Sequence, residues 1–246
     1  MIVGLKALLF DKDGTLFDFS GTWAGVTEAV IHALAPTPDA AVEMATAGGF
    51  DLATRRYAPG SVIVAGTPAQ IAATWAPFRP DLSQHQLARE IDRICLEAAE
   101  DASLLAPASR DLPGLLNGLA ARGLALGVAT NDTYQGATQQ LTMAGVEGAF
   151  SYIAGSDSVS RPKPAPDMIL GFADHLGHTA AGHGARSIAM IGDSVHDLEA
   201  GRAAGCGLTI GVLTGPATAR DLGAYADHII PSIDALPELL DALAAQ

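Results

Sequence analysis

The sequence is poor in positive charge. It has 14 lysine and arginine residues against 27 aspartate and glutamate residues, which gives a formal net charge of −13, and its only lysines are Lys6, Lys12 and Lys163. A chain this acidic repels nucleic acids and anionic membranes, and no basic run offsets that repulsion. We therefore expect neither a nucleic-acid partner nor a membrane partner. An anionic substrate would have to be met by a local positive site.

Cysteines and long apolar runs are also scarce. Cys95 and Cys206 are the only cysteines, far apart and without metal-binding spacing, so a disulfide scaffold is excluded and a reducing, cytoplasmic location is expected. No apolar run approaches the length of a membrane span. The run that ends at Phe10 contains Lys6 and passes into Asp11 without a small-residue cleavage site. We therefore do not expect a signal peptide.

What is present is an alternation of short apolar runs and helical patterns in the second half of the 246 residues. Such alternation predicts an α/β fold, a Rossmann-like parallel sheet with helices on both faces and right-handed crossovers. The predicted strands after the first apolar run are residues 124–129, 152–154, 187–191, 208–212 and 228–230. The predicted helices of this part are residues 114–122, 135–144, 166–176 and 197–204.

Between residues 21 and 106 the sequence is rich in alanine, leucine, glutamate and glutamine, and its only strand-like run is residues 62–64. This composition predicts an inserted α-helical cap. The expected cap helices are residues 22–34, 39–47, 68–75 and 83–102. We expect a catalytic core made of residues 1–18 and 107–246 and a cap made of residues 19–106, with the oligomeric state left open.

Carboxylates stand where the predicted strands end. Asp11 and Asp13 follow the first apolar run, and Asp193 and Asp197 follow a later one. Ligands of parallel α/β sheets bind beyond the carboxyl ends of the strands, so these carboxylates should converge there. A hard divalent cation relieves their repulsion, and Mg²⁺ fits best because it needs few carboxylates and a substrate oxygen.

The same residues suit phosphoryl transfer. With a cation and Lys163 spreading the charge of a phosphate, Asp11 can act as a nucleophile. Asp13, two residues on along an extended segment, returns to the same face and can protonate the leaving oxygen and then activate water. Thr130 and the backbone amides after it can hold phosphate oxygens at a helix start.

Four motifs, in order, resemble those of the haloacid dehalogenase superfamily. They are DKDGTL at residues 11–16, ATND at 129–132, RPKPAPD at 161–167 and IGDSVHD at 191–197. The helical insert after the first motif is similar to members with an α-helical cap, and the overall resemblance is to phosphoglycolate phosphatase-like enzymes. The resemblance implies a Mg²⁺-dependent hydrolase of a small phosphorylated metabolite that works through an aspartyl-phosphate.

It also implies a role for each motif residue. Asp11 would be the nucleophile and a metal ligand, Asp13 the acid and base with its backbone carbonyl on the metal, and Asp193 a further metal ligand. The phosphate would be held by Thr130, Asn131 and Lys163. Ser194 would lie in the outer shell, and Asp197 would bind through water or fix Lys163.

Other reactions of this superfamily remain to be separated. Haloacid dehalogenation is disfavoured because Asp13 and Asp193 are present, and phosphonoacetaldehyde hydrolysis because the insert has no lysine. A sugar phosphomutase resembling β-phosphoglucomutase stays open as the alternative enzyme. A catalytically idle phosphate-binding or regulatory domain is a second alternative.

The remaining candidates have simple structural interpretations. Lys12 is expected to point away from the carboxylates, and Trp23 to pack within the cap or against the core. Arg55 and Arg56, the only adjacent basic pair of the insert, are candidates for substrate recognition. The three histidines between residues 175 and 183 are expected to be solvated, and His196 to face solvent or the cap.

Overall fold

A computed structural model describes residues 4–58, 60–98, 105–178 and 181–245. Its main sheet has six strands in the order β5-β4-β1-β6-β7-β8, and every neighbouring pair is parallel. These strands are β1 Ala7–Phe10, β4 Ala125–Ala129, β5 Tyr152–Ala154, β6 Ile188–Gly192, β7 Leu208–Val212 and β8 His228–Ile230. The predicted parallel α/β sheet is confirmed.

The central strand β1 is buried on both faces because its side chains alternate between two apolar clusters. Leu8 and Phe10 belong to one cluster, and Ala7 and Leu9 belong to the other. A strand covered by helices on both sides reads as a continuous apolar run, which is why the segment carries no polar residue until Asp11. The helices that cover the sheet are α6 Leu112–Ala121, α7 Tyr134–Met143, α8 Asp167–His175, α9 Val195–Ala204, α10 Ala219–Leu222 and α11 Leu236–Ala244.

Strand β1 has β4 on one side and β6 on the other. The chain therefore changes direction across the sheet at β1, and a crevice opens beyond the carboxyl ends of these three strands. The first motif follows β1, the second begins at the last residue of β4, and the fourth begins in β6. The topology thus brings three of the four motifs to one edge.

The segment between β1 and α6 builds a helical unit with its own apolar cluster, whose fully buried members lie between Ala24 and Ile91. Its elements are α1 Phe19–Leu34, α2 Pro38–Gly48, β2 Phe50–Asp51, β3 Arg56–Tyr57, α3 Val62–Ala65, α4 Pro68–Trp75 and α5 Gln84–Ala98. The cap helix predicted over residues 83–102 is observed as α5 over Gln84–Ala98, and the rest of that prediction falls outside the described residues. The short hairpin β2–β3 and the last core helix α11 were not predicted.

The strand-like run at residues 62–64 does not form a strand. These β-branched residues form the short helix α3, because the side chain of Ser61 accepts a hydrogen bond from the amide of Ile63 and so starts a helical turn. No second strand lies beside this segment in the described structure. An isolated β-branched run without a partner strand gains little from an extended conformation.

Two chain crossings join the helical unit to the sheet. Asp18 begins α1 by accepting a hydrogen bond from the amide of Gly21, and its own amide donates to the carbonyl of Ala106 at 2.6 Å. Phe17 forms a bridge with Pro107. The outgoing and returning chains therefore run side by side where the helical unit joins the sheet. Within the described residues, the helices are all too short or too polar to cross a bilayer.

Candidate active site

Three buried carboxylates meet beyond the ends of β1 and β6. Asp11 directly follows β1, Asp193 directly follows β6, and Asp197 lies in the first turn of α9. One oxygen of each lies within 4.8 Å of the others. The parallel register of β1 and β6 sets this convergence, because Phe10 and Ile191 are paired and the two chains leave the sheet together.

Lys163 lies between two of these carboxylates. Its Nζ is 2.7 Å from Oδ1 of Asp11 and 2.5 Å from Oδ1 of Asp197. Burial by itself would lower the pKa of Lys163, but the charges of Asp11 and Asp197 outweigh it and raise that pKa above its ordinary value. The lysine is therefore a fixed positive charge beside Asp11.

One lysine does not balance three carboxylates. Burial raises the pKa of Asp11 to about 7 against the opposing charge of Lys163. Burial, followed by the charges of Asp11 and Asp197, raises the pKa of Asp193 well above its usual range. Ionising these buried acids is unfavourable in the structure as it stands. A further positive charge bound beside them would stabilise their ionised forms.

The environment of Asp193 fits a cation. Its Oδ2 is buried and has no hydrogen-bond partner among the described residues. Two glycines lie against this carboxylate and leave no space for a side chain of their own. A Cβ at Gly14, where φ is +84°, would lie 2.4 Å from the carboxylate, and a Cβ at Gly215 would lie 1.7 Å from its Oδ2. An unpartnered carboxylate oxygen beside two further carboxylates is a donor set that a hard divalent cation accepts.

Asp13 lies at the edge of this cluster and is held from two sides. Its Oδ1 accepts a hydrogen bond from Nε1 of Trp23 at 2.5 Å, and its Oδ2 lies 2.6 Å from Nζ of Lys12. Lys12 is fully buried and also contacts Asp132 at 3.2 Å and the side-chain oxygen of Gln140. The expectation that Lys12 points away from the carboxylates is therefore wrong: Lys12 pairs with one oxygen of Asp13, and the cap residue Trp23 binds the other.

The phosphate-holding candidates of the second motif occupy different positions. Thr130 is buried at the end of β4 and accepts a hydrogen bond from the amide of Asp132. The side chain of Asn131 is already engaged, since its Nδ2 donates to the carbonyls of Ala65 and Lys163 and its Oδ1 accepts from the amide of Lys163. In this arrangement Asn131 ties the loop that carries Lys163 to the cap.

Asp197 is held by the neighbouring Ser194 as well as by Lys163. The amide and the hydroxyl of Ser194 donate to Oδ2 of Asp197 at 2.9 and 2.6 Å. Ser194 and Asp197 thus form a capping box at the N-terminus of α9, in which Oδ1 of Asp197 stays available to Lys163. Ser194 and Asp197 therefore position Lys163.

Comparison with known proteins agrees with this site. The family model described as haloacid dehalogenase-like hydrolase matches residues 5–205, which include the carboxylates, Lys163 and the residues of all four motifs. The chain belongs to the haloacid dehalogenase-like hydrolases. The resemblance drawn from the four motifs is thereby confirmed.

Individual relatives of this haloacid dehalogenase-like hydrolase carry phosphatase and mutase names. A phosphoglycolate phosphatase of Escherichia coli K12 is 30% identical over 96% of this chain and 92% of that protein. A crystal structure of a predicted phosphoglycolate phosphatase from Haemophilus somnus has a TM-score of 0.67 at 21% identity, covering 96% and 98% of the two chains. A β-phosphoglucomutase from Clostridium difficile has a TM-score of 0.68 at 15% identity, with 98% of each chain covered.

In this haloacid dehalogenase-like hydrolase the carboxylates open into a cavity of about 100 Å³ between core and cap. Two of its lining residues, Trp23 and His196, reach across the boundary: Trp23 binds Asp13, and Nδ1 of His196 lies 3.2 Å from the carbonyl of Ala65. Trp23 was expected to pack within the cap or against the core, and its hydrogen bond to Asp13 was not predicted. Gly215 was not noticed, because a glycine in a loop shows no signal for the carboxylate it accommodates.

Arg55 and Arg56 do not reach this cavity. Both are exposed, and Arg55 pairs with Glu28 at 3.3 Å. The nearby histidines are also outside it: His175 and His183 are exposed, and His178 bonds the hydroxyl of Ser187 at 2.8 Å. The described structure therefore does not bring the predicted recognition pair to the carboxylates.

Proposed function

We propose that this protein is a Mg²⁺-dependent hydrolase of small phosphomonoesters that works through a phosphorylated Asp11. The observation that carries the proposal is the grouping of a buried Asp11 with Lys163 at 2.7 Å, beside Asp193 and Asp13. The site unites a nucleophile, a fixed positive charge, a cation-binding group and a proton carrier. Phosphoryl transfer needs this combination of positioning and charge relief.

The metal would be held by Asp11, Asp193 and the backbone carbonyl of Asp13. Bound there, Mg²⁺ would neutralise phosphate oxygens and lower the pKa values of the two buried carboxylates, so that Asp11 stays ionised. The unpartnered Oδ2 of Asp193 supports this assignment. Magnesium therefore suits both the acidic cluster and an acidic protein that binds an anion.

The reaction proceeds in two displacements at phosphorus. An oxygen of Asp11 attacks the phosphorus while the ester bond to the organic group breaks, and Asp13 gives its proton to the departing oxygen. Asp13 then takes a proton from water, whose oxygen attacks the phosphorus, and the bond to Asp11 breaks to release inorganic phosphate. Lys163, Thr130 and the backbone amide of Asn131 hold the phosphate oxygens through both steps.

Trp23 and Lys12 have a positioning role in this scheme. Together they fix the two oxygens of Asp13 at 2.5 and 2.6 Å. Because Trp23 belongs to the cap, its bond to Asp13 forms only when the cap lies against the core. The proton carrier is thus held in place when the cavity excludes bulk water.

The test is release of inorganic phosphate by purified protein with Mg²⁺ from 4-nitrophenyl phosphate and from phosphoglycolate, the ester in the names of relatives. We expect release that EDTA abolishes and Mg²⁺ restores. If no ester of a phosphate panel releases phosphate, the remaining alternative is a catalytically idle phosphate-binding or regulatory domain. Formation of glucose 6-phosphate from β-glucose 1-phosphate, with little free phosphate, would instead show the mutase.

A further inference from the structure

The cap wall of the cavity differs from what a carboxylate-bearing substrate requires. Its surface consists mainly of apolar side chains from α1, α3, α4 and α5. They include Val26, Val30, Ile63, Val64, Ile71 and Ile91. The organic part of a phosphomonoester whose phosphate lies at Asp11 and Lys163 would point toward this wall.

Three polar side chains of the same wall already have hydrogen-bond partners. Nε1 of Trp23 donates to Asp13, and Nε1 of Trp75 donates to the carbonyl of Met44 at 2.8 Å. The hydroxyl of Thr27 bonds the hydroxyl of Tyr57 at 2.8 Å. Few hydrogen-bond donors therefore remain for a carboxylate or for the hydroxyls of a sugar.

Charge on this wall has the wrong sign for a carboxylate. Asp92 lines the cavity and accepts a hydrogen bond from Thr133 at 3.0 Å. No arginine or histidine that the structure describes in the cap lines the cavity: all are exposed except Arg79, which is half-buried against Asp81 and the carbonyl of Leu34. Residue 59 and residues 99–104 carry no basic side chain in the sequence. A carboxylate buried against this wall would have no positive partner in the cap.

On the core side, the basic residues that line the cavity in the described structure are Lys163 and His196. Lys163 is engaged by Asp11 and Asp197, and Nδ1 of His196 lies against the carbonyl of Ala65. A single imidazole held in this way does not match the two oxygens of a carboxylate as a guanidinium does. The positive charge of Lys163 therefore serves the phosphate end of the cavity, and none remains for a carboxylate on the organic group.

We propose that the substrate of this site is a phosphomonoester of a short, uncharged and apolar alcohol, and that the cap selects against esters with a carboxylate. The proposal rests on the phosphomonoester hydrolysis proposed above. Each methyl or methylene group placed against the apolar wall should raise kcat/KM about fourfold. The cavity volume of about 100 Å³ restricts the alcohol to a small one.

The matched substrates are isobutyl phosphate and phosphoglycolate, because the two methyl groups of the first occupy the positions of the two carboxylate oxygens of the second. We expect kcat/KM for isobutyl phosphate to exceed that for phosphoglycolate by about tenfold or more, as measured by phosphate release. Equal values, or a preference for phosphoglycolate, would overturn the selectivity and leave hydrolysis intact. Release from neither ester and none from 4-nitrophenyl phosphate would overturn hydrolysis itself.

A substitution in the cap tests the same wall without knowledge of the natural substrate. Val64 lines the cavity, is half-buried and does not belong to the apolar cluster of the cap, so it can be replaced without emptying that cluster. Val64→Arg should shift the ratio of the two kcat/KM values about tenfold toward phosphoglycolate, whereas Val64→Leu should keep the preference for isobutyl phosphate. An unchanged ratio in a folded Val64→Arg protein would contradict the assignment of this wall.

Discussion

The two walls of the cavity are built in different ways. The core wall carries acids and a lysine on short segments that directly follow strands or begin helices, and its positions follow from the pairing of β1 with β4 and β6. The cap wall is mostly apolar and comes from four helices that pack around their own cluster. The core wall determines the reaction at the phosphate, and the cap wall determines which organic groups fit beside it.

This difference separates rate from selectivity. A change in the core wall alters the charge around the reacting phosphorus and should affect every ester. A change in the cap wall alters contacts with the organic group and should affect esters unequally. Trp23 is the exception, because it belongs to the cap and yet binds Asp13.

The largest effect is expected at the nucleophile. Asp11→Asn retains the size of the side chain but removes the oxygen that attacks phosphorus, so kcat should fall by on the order of 10⁴-fold or more for every ester. Phosphate release measures it. Asp174→Asn, on the exposed face of α8, is the matched control and should keep full activity. Activity retained in Asp11→Asn would show that the core wall does not act through this residue.

The next largest effect is expected at the buried ion pairs of Lys12 with Asp13 and Asp132. Lys12→Met removes the only positive partner that the described structure gives to Asp13 and Asp132, and the free energy of unfolding should fall by about 3–5 kcal/mol. Denaturant titration measures this change. Arg93→Met, which removes two exposed cap ion pairs, should be hard to distinguish from the unsubstituted protein. Similar losses in both variants would contradict the distinction between buried and exposed pairs.

A third change tests the cation pocket through its shape. Gly215→Ala would place a methyl group 1.7 Å from Oδ2 of Asp193 and force that carboxylate to move, so Mg²⁺ affinity should fall about 10–100-fold. The rise in melting temperature with Mg²⁺ reports the affinity. Gly118→Ala, in α6, meets open space and should leave affinity unchanged while adding about 0.5–1 kcal/mol of stability. Unchanged Mg²⁺ affinity in Gly215→Ala would argue against Asp193 as a ligand.

The smallest effect separates two tryptophans of the cap. Trp23→Phe keeps a ring but removes the hydrogen bond to Asp13, so kcat should fall about tenfold with little loss of stability. Trp75→Phe removes the hydrogen bond to Met44 in the cap core, so it should lower stability by about 1–3 kcal/mol and spare kcat. Steady-state kinetics and thermal melting distinguish the two. The same loss of kcat in both would remove the specific role of Trp23.

The carboxylates of the core wall that follow strands were predictable from their own neighbours. Asp11 and Asp193 each follow an apolar run, and a parallel sheet must bring the ends of such runs together. Lys163 has no such marker within its loop. It was identified through the order of the four motifs.

The cap wall was not predictable, because its contacts depend on how helices dock. Trp23 lies 10 residues from Asp13 along the chain, and only the placement of α1 brings its indole to that carboxylate. Arg55 and Arg56 were chosen for their charge, but the hairpin that carries Arg56 leaves both at the surface. The strand-like run at residues 62–64 forms the helix α3, since local β propensity says nothing about whether a partner strand exists.

The central claim, that the core wall acts through a phosphorylated Asp11, is tested most directly by rapid acid quenching of the Mg²⁺-loaded enzyme with 4-nitrophenyl phosphate labelled with ³²P. We predict label on the protein during turnover that hydroxylamine releases, as expected of an acyl phosphate, and that maps to the peptide containing Asp11. Label on another residue, or turnover without any labelled protein, would contradict the account.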